Sequence, residues 1–170
     1  MNLFYILFFF IIIQRVIEVM IAKRNERWMK QQGAIEVGED HYKWIVLVHV
    51  LFFLSIALEA YNETLELTMW HGFLFGIFLV TQGFRIWCLT SLGRYWNTKI
   101  IVLPGANLIA KGPYRFFKHP NYLVVGVEFI VIPLLYNAYF TAVLFPIFHL
   151  LLMKIRIPHE EKALMEAYKS

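Results

Sequence analysis

Charge is scarce in this chain. Only 16% of its 170 residues are Asp, Glu, Lys or Arg, against roughly 25% in soluble proteins. That scarcity argues against an ordinary water-soluble domain. The 59% hydrophobic and 18% aromatic content, with a mean hydropathy of +0.58, points to a membrane protein. Cysteine is nearly missing too: Cys88 stands alone, so no disulfide can close within the chain. There is no Gly-rich phosphate loop and no nucleophile elbow. His49, His71 and His149 lie on apolar stretches, and no His, Cys or carboxylate spacing suits a metal. No nucleic-acid partner is expected. The first apolar run has no basic region before it and no small-residue cleavage site, so residues 3–22 read as a retained span. Without internal repeats or low-complexity linkers, residues 1–170 form a single membrane domain.

The expected fold class is therefore an all-α integral membrane protein. Its apolar segments are residues 3–22, 44–60, 69–89, 122–136 and 138–153, about five transmembrane helices in all. A helix needs about 20 residues to cross the hydrocarbon. The first three segments meet that length. The last two are shorter, contain Pro133 and Pro146, and share one tight link, so they read as a short helical hairpin.

Cation placement sets the expected orientation. Lys23, Arg24, Arg27, Lys30 and Lys43 surround the first connection. Arg94, Lys99, Lys111, Arg115 and Lys118 fill the third, and Lys154, Arg156, Lys162 and Lys169 follow the last span. Residues 61–68 and the turn at 137 carry none. The positive-inside rule then puts the N-terminus outside and the C-terminus in the cytoplasm. Arg15 and Arg85, with Glu18 and Glu128, fall inside spans, where ionisable residues are functional candidates and seldom unpaired. Arg15 with Glu18, or Arg85 with Glu128, could equally form structural pairs.

Two polar clusters stand out. "KGPYRFFKHPNY", residues 111–122, packs Lys111, Arg115, Lys118 and His119 with two prolines, two tyrosines and no acid. Gly112-Pro113 signals a turn, and Pro120 suits the first position of a helix. Such a segment fits a water–lipid boundary, where Tyr, Lys and Arg commonly anchor. The second cluster, "KIRIPHEEKALMEAY", spans residues 154–168. A fresh helix starting near Pro158 would place Glu160 and Glu161 in its first turn, where the helix dipole favours acids.

"GPYRFFKHPNYLVVG" followed by "RIPHEEKAL" resembles the isoprenylcysteine carboxyl methyltransferase family of membrane enzymes, as does the upstream "FRIWCLTSLGRYWNTKI". That family has an Arg-His-Pro-x-Tyr motif opening a late span, then a hairpin, then Arg and a Glu-Glu pair. The resemblance covers about residues 82–168. One position departs from it: Lys118 stands where the motif carries Arg, which keeps the charge and loses bidentate geometry. The resemblance implies a cytoplasmic cofactor pocket for S-adenosyl-L-methionine (SAM), with no metal. Its wall would comprise Leu108, Ile109, Tyr114, His119, Pro120, Asn121 and Tyr122, with Glu160 binding a ribose hydroxyl or the ammonium. Arg85 and Arg156 would hold the acceptor's anionic oxygen, and Glu128 or His119 would take a proton where one must leave.

The likeness to small bacterial members, carried by "HPNYLVVGVEFIVIPLL", implies a lipid-like acceptor in the cytoplasmic membrane of a bacterium. The expected acceptor is the hydroxyl of an alkylpyrone or related polyketide lipid, with an upstream type III polyketide synthase as a partner. An isoprenylcysteine-like carboxylate is the alternative. A non-enzymatic transport or assembly protein is the competing class, but a transporter would gather its polar groups near mid-bilayer.

Overall fold

The computed structural model describes residues 2–61 and 67–169; residues 62–66, within the cation-free connection, lie outside the described residues. Five helices run in order: α1 (Asn2–Gln31), α2 (Glu39–Ala60), α3 (Met69–Leu92), α4 (Pro120–Leu135) and α5 (Tyr139–Lys169). Four are long and apolar enough to cross a membrane, and α4 is the shorter apolar one. At 16 residues, α4 reaches about 24 Å, less than the ~30 Å hydrocarbon core. Side chains such as Phe9, Phe10, Leu54, Val80 and Leu150 stay exposed on the outer faces. A bundle that is apolar outside as well as inside is built for lipid.

Helix starts follow local chemistry. Thr68 caps α3, accepting from the His71 backbone N–H while its own N–H donates to His71 Nδ1. Pro120 opens α4 at a position that loses no backbone bond. The link between α4 and α5 turns at Asn137, in the left-handed region with φ 54°. The start of α5 is capped from a distance. Both oxygens of Glu59, on α2, accept from backbone N–H groups, Phe140 at 3.0 Å and Thr141 at 2.8 Å.

The end of α5 differs from the expectation of a fresh helix starting near Pro158. It runs as one helix of 31 residues through Pro146 and Pro158. Each proline removes only one backbone donor, a loss that packed membrane helices tolerate. Packing fixes the helical register here, since Arg156 and Glu160, one turn apart, both bond Tyr122 of α4. Glu160 and Glu161 thus lie well inside a helix, and no N-terminal dipole favours them.

An all-α reading also misses one element. β1 (Ile35–Val37) and β2 (Ile100–Val102) pair antiparallel, with Ile35 opposite Val102 and Val37 opposite Ile100. The β-branched run at 100–102 suits a strand. Ile100 and Val102 bury against Ala163, with Leu164 beside them, so the ribbon caps the bundle where α5 emerges.

The main core gathers Ile11, Phe52, Ile56, Phe78, Phe129 and Phe145. Beside it lies a closed polar network. Arg85 Nε donates to Glu18 at 2.6 Å, its Nη2 also bonds Glu18, and its Nη1 reaches Glu128 at 2.9 Å. Arg15 bonds the same two acids, Glu18 at 2.8 Å and Glu128 at 2.6 Å. Gln14 and Gln82 complete it: Gln82 donates to Glu128 at 2.7 Å, and Gln14 to Gln82 at 2.7 Å. Two arginines and two glutamates cancel. Buried charge is tolerable only when paired and hydrogen-bonded in this way.

Candidate active site

The polar end of the bundle holds a cavity of about 500 Å³. Segment 92–110, the turn at 112–115, the start of α4 and the last turns of α5 enclose it. Gly112 makes the turn possible, with φ +55° and its α-carbon close against α3. A Cβ there would sit 2.0 Å from Ser91 Oγ. That approach and that φ are open to glycine.

The hydrogen-bonding centre of the site is Tyr122. Its Oη donates to Glu160 Oε2 at 2.6 Å and accepts from Arg156 Nε at 2.7 Å. Arg156 is 5% exposed and also donates from Nη2 to the Thr98 carbonyl at 2.6 Å. Among the described residues its Nη1 carries no hydrogen bond. His149 holds this stretch of α4 from α5, its Nε2 lying 2.9 Å from the Tyr122 carbonyl.

His119 stacks on Tyr122, ring centroids 5.4 Å apart and planes 11° from parallel. Its Nδ1 lies 3.3 Å from Glu160 and its Nε2 3.3 Å from Glu161. A carboxylate at each nitrogen favours a proton on each, the imidazolium form. The bonded Glu160, and Glu161 behind it, accordingly raise the His119 pKa above its ordinary value, outweighing burial. Burial pushes the Tyr114 phenol up, so that hydroxyl stays neutral. Lys118 reaches Glu161 at 3.6 Å but is largely exposed, a loose surface pair.

Most of the expected wall is here. Leu108, Ile109, Tyr114, His119, Asn121, Tyr122, Arg156 and Glu160 all line the cavity. Pro120 does not; it is buried as the first residue of α4. Arg85 and Glu128 are also absent from the wall. The expectation that they meet the acceptor gives way to the network with Arg15 and Glu18, which occupies both carboxylates and every nitrogen of the Arg85 guanidinium. Both pairings foreseen as structural, Arg15 with Glu18 and Arg85 with Glu128, are present, and the cross-pairs join them into one unit.

Sequence reading assigned no site role to Trp96 or Lys99. Trp96 is 2% exposed in the wall, and Asn25 of α1 pins its carbonyl at 2.7 Å. Lys99 ties the segment to Glu26 of α1 at 3.0 Å and to Glu36 of β1 at 2.8 Å. Neither residue stands in a polar cluster of its own, and the ribbon that positions them is not visible in hydropathy.

A helical membrane bundle with an aromatic and cation-lined pocket at one face, built from the turn before α4 and the end of α5, defines a membrane protein with a small-molecule site. The chain belongs to the Isoprenylcysteine carboxyl methyltransferase (ICMT) family, whose pattern matches residues 74–166. It is an integral membrane methyltransferase. The relatives extend beyond that region. The protein is 48% identical over 164 residues to "Uncharacterized protein YpbQ" of Bacillus subtilis (strain 168), covering 96% of this chain and 98% of that one. It is 25% identical over 155 residues to an "Uncharacterized protein" of Haemophilus influenzae (strain ATCC 51907 / DSM 11121 / KW20 / Rd), covering 91% and 90%. Methyltransferases of this family generally use SAM.

Proposed function

We propose that the cavity takes SAM and that the enzyme methylates an ionised oxygen of a lipid-like acceptor drawn from the bilayer. The observation that carries this reading is Arg156, held by Tyr122 and Thr98 so that Nη1 remains without a partner among the described residues. A guanidinium so fixed is suited to an oxyanion.

The residues present fit the cofactor. The volume falls within the usual range for small-molecule sites, about 300–1,000 Å³. Glu160 is the acid placed for an ammonium or a ribose hydroxyl, and Leu108 and Ile109 supply apolar contact for the adenine. Asn121 Oδ1 and Trp96 Nε1, two polar atoms of wall residues, are buried and unbonded among the described residues. Unpaired buried polar groups are costly, and an adenine edge supplies both a donor and acceptors. When bound, the cofactor supplies an activated methyl on a cationic sulfonium. The protein's part is alignment: Tyr122 fixes Glu160 and Arg156 relative to one another, and displacement depends on such orientation.

Among the described residues, no free base faces the acceptor. Glu128 is bound in the intramembrane network, His119 is held as the imidazolium, and Glu160 and Glu161 are engaged by Tyr122, His119 and Lys118. An acceptor that arrives ionised needs none. The family match favours a carboxylate of the isoprenylcysteine kind. The acidic enol of an alkylpyrone satisfies the same condition and is the second reading; an upstream type III polyketide synthase would be a partner only there. The positive-inside rule supports a cytoplasmic cavity, with the N-terminus outside.

The test is methyl incorporation from labelled SAM into a farnesylcysteine analogue and a long-chain alkylpyrone, with titration of S-adenosylhomocysteine (SAH) into the purified protein. Turnover of the first supports the carboxyl reading, and turnover of the pyrone alone selects the second. No SAH binding, with neither acceptor methylated, overturns both.

A further inference from the structure

From Leu67 to Val127 the chain contains no acid, yet beyond the buried Arg85 it carries Arg94, Lys99, Lys111, Arg115 and Lys118. Three of these have partners. Lys99 pairs with Glu26 and Glu36, Lys118 with Glu161, and Arg94 lies over the Trp28 ring at 5.4 Å. Lys111 and Arg115, both exposed, have no ion pair among the described residues. They flank the turn at Gly112, which presses against α3 beside Trp87. That indole nitrogen would stand 2.9 Å from a Cβ on Gly112, is 46% exposed as a residue, and carries no hydrogen bond among the described residues. Next along the chain, Phe116 and Phe117 are 70% and 50% exposed, and Phe117 meets Phe84 of α3 edge-on at 6.4 Å.

We propose that Lys111, Arg115 and the Trp87 indole form a site for the phosphate headgroup of an anionic phospholipid, whose acyl chains lie along Phe84 and Phe117. Two unpaired cations suit a phosphodiester bearing net negative charge. A zwitterionic headgroup adds an ammonium, and no acid in this stretch receives it. Phe117 on the flank of α3 sets the depth, since exposed aromatics of this kind belong at the boundary between hydrocarbon and headgroups. The cations stand at the adjoining level, where each contributes to the attraction of anionic lipid. The site lies outside the cavity and does not depend on the methyl-transfer reading.

The experiment is native mass spectrometry of the full chain released from nanodiscs of equal phosphatidylglycerol and phosphatidylcholine. Wild type should retain phosphatidylglycerol preferentially. Lys111→Gln and Arg115→Gln should each lower that preference about fivefold, which is ~1 kcal/mol, and the double variant should lower it further. Trp87→Phe, which keeps a ring and removes the N–H, should lower it less. Lys162→Gln, an exposed cation on α5, should leave it unchanged. Equal retention of the two lipids by wild type overturns the proposal. So does an undiminished preference in the folded single variants.

Discussion

Tyr122 and Glu160 meet at 2.6 Å across the α4–α5 interface, although 38 residues separate them in sequence. The phenol that donates to Glu160 also accepts from Arg156, so one hydroxyl orients the acid assigned to the cofactor and the cation assigned to the acceptor. Tyr122→Phe removes that hydroxyl and keeps the ring stacked on His119. SAH affinity should fall about tenfold, on the order of 1.5 kcal/mol for a hydrogen bond to a charged group, and stability should fall by about 1–3 kcal/mol because the buried Arg156 loses an acceptor. Calorimetric titration measures it. Unchanged affinity would detach Glu160 from the cofactor.

Arg156→Lys keeps the charge and loses the fork that spans Tyr122 and Thr98. Methyl transfer should drop at least tenfold while SAH affinity stays within about threefold, on the scale of one lost hydrogen bond. An equal loss of both would make Arg156 part of the cofactor site instead.

Arg85 should behave differently. Arg85→Met leaves Glu18 and Glu128 in the bundle with only Arg15 between them, and breaking a buried pair costs about 3–5 kcal/mol in soluble proteins. The expected outcome is a large fall in thermal midpoint in detergent, with SAH affinity retained by the protein that remains folded. Normal stability combined with lost turnover would return Arg85 to the reacting centre.

The His119 contacts give a pH dependence with a definite sign. Its folded pKa is raised above the ordinary 6.5, chiefly by Glu160. The stabilisation is fully present below the unfolded value near 6.5 and is lost as pH climbs through the raised folded value. Thermal stability should therefore decline over that interval in wild type, and His119→Gln should flatten it. Tm recorded against pH decides the point, and parallel profiles for the two proteins would show that His119 does not carry the slope.

Gly112→Ala tests the close approach of the turn to α3. A methyl group 2.0 Å from Ser91 Oγ, on a backbone with φ +55°, cannot be accommodated in place. The turn should shift, carrying Tyr114 with it, and SAH affinity should fall. Adding Ser91→Gly relieves the clash with Ser91 but neither the close approach to Trp87 Nε1 nor the φ strain, so recovery should be partial.

Much of this protein is legible in its residues. Low charge and long apolar runs determine a helical membrane protein because lipid admits little else. His119, Asn121 and Tyr122 belong to one local motif and Glu160 to a second, and both motifs reach the same cavity. Other features needed the tertiary structure. Hydropathy places Arg15, Glu18, Arg85 and Glu128 inside spans but does not say which side faces which; packing of α1, α3 and α4 joins them in one neutral network and takes Arg85 and Glu128 away from the site. Pro158 reads locally as a break, whereas contacts from Arg156 and Glu160 to Tyr122 carry α5 through it. Three residues at 35–37 have too little local preference to declare a strand, and a partner 65 residues away supplies the hydrogen bonds that make one. Composition and local pattern set what each segment is. Long-range pairing of polar groups, which hydrocarbon leaves no alternative but to satisfy, sets where each side chain acts.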